Sequence, residues 1–216
     1  MIDIKRAKAL QKKLAEKILT ELEYFPHISD DEIRLVAGVD ASYSKGYAFG
    51  VATLIDYRSR MLITYSVVRK KPPMPYIPGL LAFREAPVYI AALKKLPQQP
   101  DVIVVDGHGL SHPRALGIAT HIGLVLDKPS IGVAKKRLYG EEVIGENGNK
   151  YIHAHGYRVA KIITHRNQVL YISIGYKISL RSAVRIIENL LAPKYKLPLP
   201  TALADYISRR QARHGT

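Results

Sequence analysis

The chain has no cysteine, which excludes disulfides and thiolate metal centres. No stretch approaches the roughly 20 apolar residues of a membrane span, and the N-terminal residues lack the short apolar core of a secretion signal. A soluble, cytoplasmic protein is expected. Asn and Gln are scarce, and so is negative charge: 18 Asp plus Glu stand against 33 Lys plus Arg, a formal charge of +15. Such an imbalance favours a polyanionic partner, because phosphates neutralised by protein release condensed counterions. A thermophile surface would raise Lys and Glu together, and here the acids do not keep pace. Also missing are a nucleophile-elbow serine, a phosphate-cradling Gly-rich loop, a dinucleotide fingerprint, repeats and low-complexity segments. His153 and His155 lie two apart without a third ligand nearby, so no zinc site is expected.

What is present is an apolar half of the chain, enough at 216 residues for one domain spanning 1–216. Ile4, Ala7, Leu10, Leu14, Ile18 and Leu22 recur at helical spacing and predict an opening amphipathic helix. Residues 34–43, 47–56 and 61–69 read as strands of an antiparallel meander, separated by turn-forming segments. Pro72, Pro73, Pro75 and Pro78 then impose a stiff, exposed loop, followed by a helix to about Leu96. Pro87 fits the first turn of that helix and would put Glu85 near its positive end. A strand at 101–106, a helix at 113–126 and a strand at 129–134 form a β-α-β unit with parallel pairing. A polar loop is expected at 140–150, strands at 151–163 and 168–175, a helix at 180–191, and a terminal helix capped by Thr201. The order predicts an α/β fold: a mixed sheet, antiparallel meander plus parallel strands, with helices on both faces.

Two apolar runs each end in a lone carboxylate: Leu35-Val36-Ala37-Gly38-Val39-Asp40 and Val102-Ile103-Val104-Val105-Asp106. If these strands are neighbours, Asp40 and Asp106 share one sheet edge and can share a divalent cation. Phosphodiester cleavage requires a nucleophilic water and a stabilised leaving oxygen, and divalent ions held by carboxylates can supply both, since hard Mg²⁺ takes oxygen ligands. Glu85 and Asp205 are further candidates, the first on a helix and the second inside the last helix. The plain alternative is that each acid caps a helix or turn. Gly107-His108-Gly109 after Asp106 reads either as a close-approach loop or as an ordinary strand-to-helix turn. Lys135 ends the 129–134 strand and either reaches the same edge, where it would neutralise a phosphate, or is simply solvated.

Six motifs in order resemble the endonuclease V family, the deoxyinosine 3′ endonucleases, from about Val36 to Tyr206. They are Gly38-Val39-Asp40; Pro75-Tyr76-Ile77-Pro78-Gly79 with Ala82-Phe83-Arg84-Glu85; and Val105-Asp106-Gly107-His108-Gly109 with His112-Pro113-Arg114. Gly132-Val133-Ala134-Lys135, Ile172-Ser173-Ile174-Gly175 and Pro200-Thr201-Ala202-Leu203-Ala204-Asp205 complete the set. The resemblance implies a ribonuclease H-like fold and Mg²⁺-dependent cleavage, with Mn²⁺ also usable. The cut would fall one nucleotide past a deaminated adenine on its 3′ side, leaving 3′-hydroxyl and 5′-phosphate ends. It implies Asp40, Glu85, Asp106 and Asp205 as metal-binding acids and Lys135 as the active-site lysine. Pro75, Tyr76, Ile77 and Pro78 would form a strand-separating wedge, and Gly79, Leu81, Gly107, Gly109 and His112 a base pocket. The expected partner is DNA containing deoxyinosine, or inosine-containing RNA, bound by a monomer. The rival from another class is a non-catalytic, structure-sensing nucleic-acid binder.

Overall fold

Valine- and isoleucine-rich runs dominate the middle of the chain, and they build one sheet. The computed structural model describes residues 3–145 and 148–214. Among them, nine strands pair in the order β3-β2-β1-β4-β5-β9-β8-β7-β6. The meander is β1 Leu35–Ser44, β2 Tyr47–Asp56 and β3 Met61–Lys70. The centre is β4 Val102–Asp106 and β5 Ser130–Ala134, followed by β6 Glu141–Ile144, β7 Lys150–Ala154, β8 Tyr157–His165 and β9 Gln168–Tyr176. The β1–β4 and β4–β5 pairs are parallel and the rest antiparallel.

Side-chain alternation divides the central strands between two layers. Ala37, Val39, Ile103 and Val105 pack under α2 Leu81–Lys94 and α3 Ile118–Leu126. Val36, Val102 and Val104 pack under α4 Leu180–Leu190 and α5 Leu199–His214. The opening helix α1 Ile4–Glu21 packs Ala15 and Ile18 with Ile152, Val159 and Ile174 at the far end of the sheet. No helix among the described residues is long and apolar enough to cross a membrane.

Several expected boundaries move. α2 begins at Leu81, so Pro87 sits beyond its first turn, and Glu85 is the helix's fifth residue, one turn further in than expected. The start is set upstream, where Gly79 (φ +77°) makes the turn and the Leu80 amide donates to the Ile77 carbonyl. α3 begins at Ile118, not 113, because Ala115 takes a left-handed conformation (φ +47°) and the Gly117 amide donates to Gly109. The expected 140–150 loop contains β6, an edge strand whose alternation is hidden by Glu141 and Glu142; residues 146–147 lie outside the described residues. The expected 151–163 strand is two strands, split by a turn at His155 (φ +55°) and Gly156, so His153 and His155 do not share a strand face. Thr201 lies inside the first turn of α5, its hydroxyl donating back to the Pro198 carbonyl at 3.1 Å.

Candidate active site

The parallel register pairs Val39 with Val105, so the next residue on each strand, Asp40 and Asp106, emerges at one sheet edge. Both share the parity of Val36, Val102 and Val104 and therefore lie on the α5 side. α5 comes close because residue 38 is glycine: a Cβ there would stand 2.2 Å from the Pro200 carbonyl carbon. The Thr53 hydroxyl fixes the same place by donating to the Pro200 carbonyl at 2.9 Å. Seated so, α5 brings Ser208 to donate to Asp40 Oδ2 at 3.0 Å, and Ser42 lies 2.9 Å from the Ser208 hydroxyl.

The other expected residues gather around this pair. Lys135, just past β5, donates from Nζ to Asp106 Oδ2 at 2.8 Å. Asp205 of α5 accepts from Arg209 Nε at 2.8 Å. Glu85 arrives from α2, and its two oxygens accept from the Tyr43 and Tyr89 hydroxyls at 2.9 and 3.1 Å. Burial, then the charges of Asp106 and Asp205, push Asp40 up to about 7. Burial also raises Glu85, against the two tyrosine hydrogen bonds that lower it. The buried Tyr89 is pushed well up by burial and then by the charges of Glu85, Asp40 and Asp106, so it stays a neutral donor.

This donor set suits an oxygen-seeking divalent cation. Asp40 feels the charges of Asp106 and Asp205, and Glu85 that of Asp106; Asp106 is ion-paired with Lys135 and Asp205 with Arg209. Among the described residues, no three His, Asp or Glu side chains converge closely enough to cage an ion alone. Mg²⁺ does not need such a cage, because it retains waters and binds through one or two carboxylates plus substrate phosphates.

On the opposite face lies a cavity of about 340 Å³ walled by Gly79, Leu81, Gly107 and His112, with Tyr76 at its rim. Tyr76 is 64% exposed, whereas Ile77 packs toward Met74 and Leu80 and is no free tip. Pro75 and Pro78 are exposed around them. Gly109, expected in this pocket, is not part of it. Its amide donates to the Ser173 hydroxyl at 2.8 Å, and a Cβ would stand 1.9 Å from the Ile174 carbonyl oxygen. It lets the loop press onto β9. The Gly79 carbonyl organises the pocket wall, accepting from Arg114 at 2.6 Å, Gln11 at 3.1 Å and His112 Nε2 at 3.2 Å. Since His112 Nδ1 accepts the Arg114 amide (3.1 Å), Nε2 carries the proton. Burial, then Arg114, lowers His112 to about 4, so the ring is neutral across the working range.

The family model for endonuclease V matches residues 12–206. The chain belongs to the endonuclease V family. An endonuclease V of Desulfurococcus amylolyticus is 58% identical over 208 residues, 96% of this chain and 94% of its own. The Bacillus subtilis endonuclease V structure superposes with a TM-score of 0.86 at 30% identity, covering 99% of this chain and 93% of that one. The Ciona intestinalis endonuclease V, solved with a 24mer DNA containing an inosine followed by a ribo-adenosine, shares the fold. Its TM-score is 0.83 at 24% identity, over 99% of both chains. With these relatives the mixed sheet is ribonuclease H-like.

In this endonuclease V chain the acids' polar partners escaped the sequence reading, although spacing carries a trace of two. Tyr89 lies four residues after Glu85 and Ser208 three after Asp205, each on one helix face. Gln11 falls on the buried stripe Ala7, Gln11, Ala15, Ile18 of α1. It is fully buried and also accepts from Arg114 Nε at 2.6 Å. Gln11→Ala should therefore cost about 1–3 kcal/mol, read as a fall of several degrees in Tm. An unchanged Tm would contradict its place in the pocket wall.

Proposed function

We propose that this chain is a Mg²⁺-dependent DNA-repair endonuclease that recognises deaminated adenine and hydrolyses the phosphodiester one nucleotide beyond it on the 3′ side. The products are a 3′-hydroxyl and a 5′-phosphate. The observation that carries this reading is the juxtaposition of the Asp40, Glu85, Asp106 and Asp205 cluster with the glycine-walled cavity across the same sheet edge. The resemblance of the motifs and the inosine-containing DNA bound by the Ciona relative support it.

Asp40 and Asp106 would hold Mg²⁺ (or Mn²⁺), with Glu85 and Asp205 completing the oxygen donors and orienting the attacking water. Bound there, the cation supplies Lewis-acid polarisation of the phosphate. Tyr43 and Tyr89 fix the Glu85 carboxylate. Lys135, half-exposed beside Asp106, neutralises charge building on the phosphate. Hypoxanthine differs from adenine by its 6-oxo group and N1–H, and from guanine by lacking the 2-amino group. A wall of backbone at Gly79 and Gly107 lets amides and carbonyls approach that edge, and a close floor rejects the extra amino group. Deaminated bases pair poorly and flip at lower cost, with Tyr76 placed to fill the vacated stack. Tyr76→Ala should reduce discrimination between inosine and adenine strands by about tenfold. An equal loss on both would remove it from lesion sensing.

The ribonucleotide after the inosine in the Ciona complex favours a second reading, cleavage of inosine-containing RNA. Matched deoxyinosine and riboinosine single strands decide between them. At least tenfold faster cleavage of the deoxyinosine strand is expected; the reverse order would move the substrate to RNA.

A further inference from the structure

On the α5 side, the acid cluster opens past Lys135 and Asp205 into a second cavity of about 560 Å³. Its lining adds Lys196, Arg209, Arg210 and Arg213, with Asp205 as its single acid, and that acid is occupied by Arg209. Two tyrosines share the wall, Tyr195 and the 56%-exposed Tyr206, with the Arg210 guanidinium 5.9 Å from the Tyr206 ring centre. Apart from Lys135 and Asp205, these residues have no part in the hydrolysis described above.

The place of this groove gives it a direction. The glycine-walled cavity is built by loops beside α2 and α3, joined by Leu81 and Ile118 of those helices, on one face of the sheet, and the basic groove largely by α5 on the other. Asp40 and Asp106 stand on the edge between them. A strand with its lesion in the cavity and its scissile phosphate at the acids must cross that edge, and its continuation arrives at the groove. Cations that follow a backbone beside aromatic platforms suit unpaired bases, which stack on rings without regard to sequence.

We propose that this groove holds the cut strand, unpaired, on the 3′ side of the scissile phosphate: the piece that leaves with the 5′-phosphate. The direction rests on the proposed cleavage 3′ to the lesion. Lys196, Arg210 and Arg213 contact its phosphates, and Tyr206 stacks on a base.

The test crosses enzyme truncation with substrate truncation. Deoxyinosine single strands with one common 5′ part end either two or ten nucleotides beyond the scissile phosphate. Wild type should lose at least tenfold in kcat/KM, mostly through KM, on going from the long to the short strand. Arg210→Ala/Arg213→Ala should lose about tenfold on the long strand, lose less than twofold more on truncation, and reduce the salt slope of binding by about 1.4. Tyr206→Ala should be more damaging when the 3′ segment is single-stranded than when it is annealed to a complement. The assignment is overturned if both enzymes lose the same factor on 3′ truncation, if the coupling instead follows 5′ truncation, or if annealing leaves the Tyr206→Ala loss unchanged. If wild type cuts none of the inosine strands, the proposed function itself fails and takes this direction with it.

Discussion

Asp40→Asn should lower kcat/KM on an inosine duplex at least about 10³-fold and, at the same time, make the protein more stable near pH 8. Both effects come from the same charge. In the folded chain Asp40 is pushed from its ordinary 3.8 up to about 7, by burial and then by Asp106 and Asp205. The native state thus holds a proton that the unfolded chain releases between about pH 4 and pH 7. Stability falls as pH rises through that window and carries the full cost above it. About three units at about 1.36 kcal/mol each bound the cost near 4 kcal/mol. Recovering half of it would raise Tm by about 4–8 °C in a chain of this size. The gain should shrink at pH 5, where the native carboxyl is already neutral. Millimolar Mg²⁺ should raise the Tm of wild type at pH 8 and leave Asp40→Asn nearly unmoved, a readout independent of cleavage. Paired melts at pH 5 and pH 8, with and without Mg²⁺, check the whole set. A destabilised Asp40→Asn protein at pH 8 would mean that the carboxylate is structural.

Gly38→Ala should damage stability and activity together. Position 38 lies mid-strand in β1, and its added Cβ would fall 2.2 to 2.5 Å from the carbonyl group and side chain of Pro200. The obstacle is backbone at the start of α5, which has no rotamer to escape into. Relief requires α5 to move away from β1, breaking the Thr53 bond to Pro200 and withdrawing Ser208 and Asp205 from Asp40. Overpacking of this kind costs about 1–3 kcal/mol or more. Loss of Tm by several degrees and at least about 100-fold in cleavage rate is expected. A neutral effect on both would show that α5 is not held by this contact. The contrast is informative: Asp40→Asn separates stability from activity, and Gly38→Ala removes them together.

The acid pair was legible as two β-branched runs ending in carboxylates, whereas the neighbourhood of their strands was only a condition, because the β-α-β order joins β4 to β5 and not to β1. The structure meets that condition, with β1 parallel to β4 and Val39 paired with Val105. Glu85 and Asp205 were not legible from pattern alone, since each lies within a helix and joins the site only through tertiary packing. The same holds for Tyr43 and Gln11, whose partners are 42 and 103 residues away in Glu85 and Arg114. Gly107 and Gly109 are alike in sequence, yet only Gly107 faces the cavity, and Gly109 answers to the β9 backbone. Helix starts went astray where His112-Pro113-Arg114 and Pro87 imitate first-turn chemistry. At the first of these, the left-handed Ala115 delays the helix to Ile118.

The central claim is lesion-directed, metal-dependent cleavage at one bond, and a 5′-labelled duplex tests it most directly. One strand carries a single deoxyinosine, and an otherwise identical control carries adenine. With Mg²⁺ the inosine strand should yield one product ending in a 3′-hydroxyl one nucleotide past the lesion. The control, and both duplexes in EDTA, should remain intact. Equal cutting of the adenine control, or undiminished cutting in EDTA, would contradict the account.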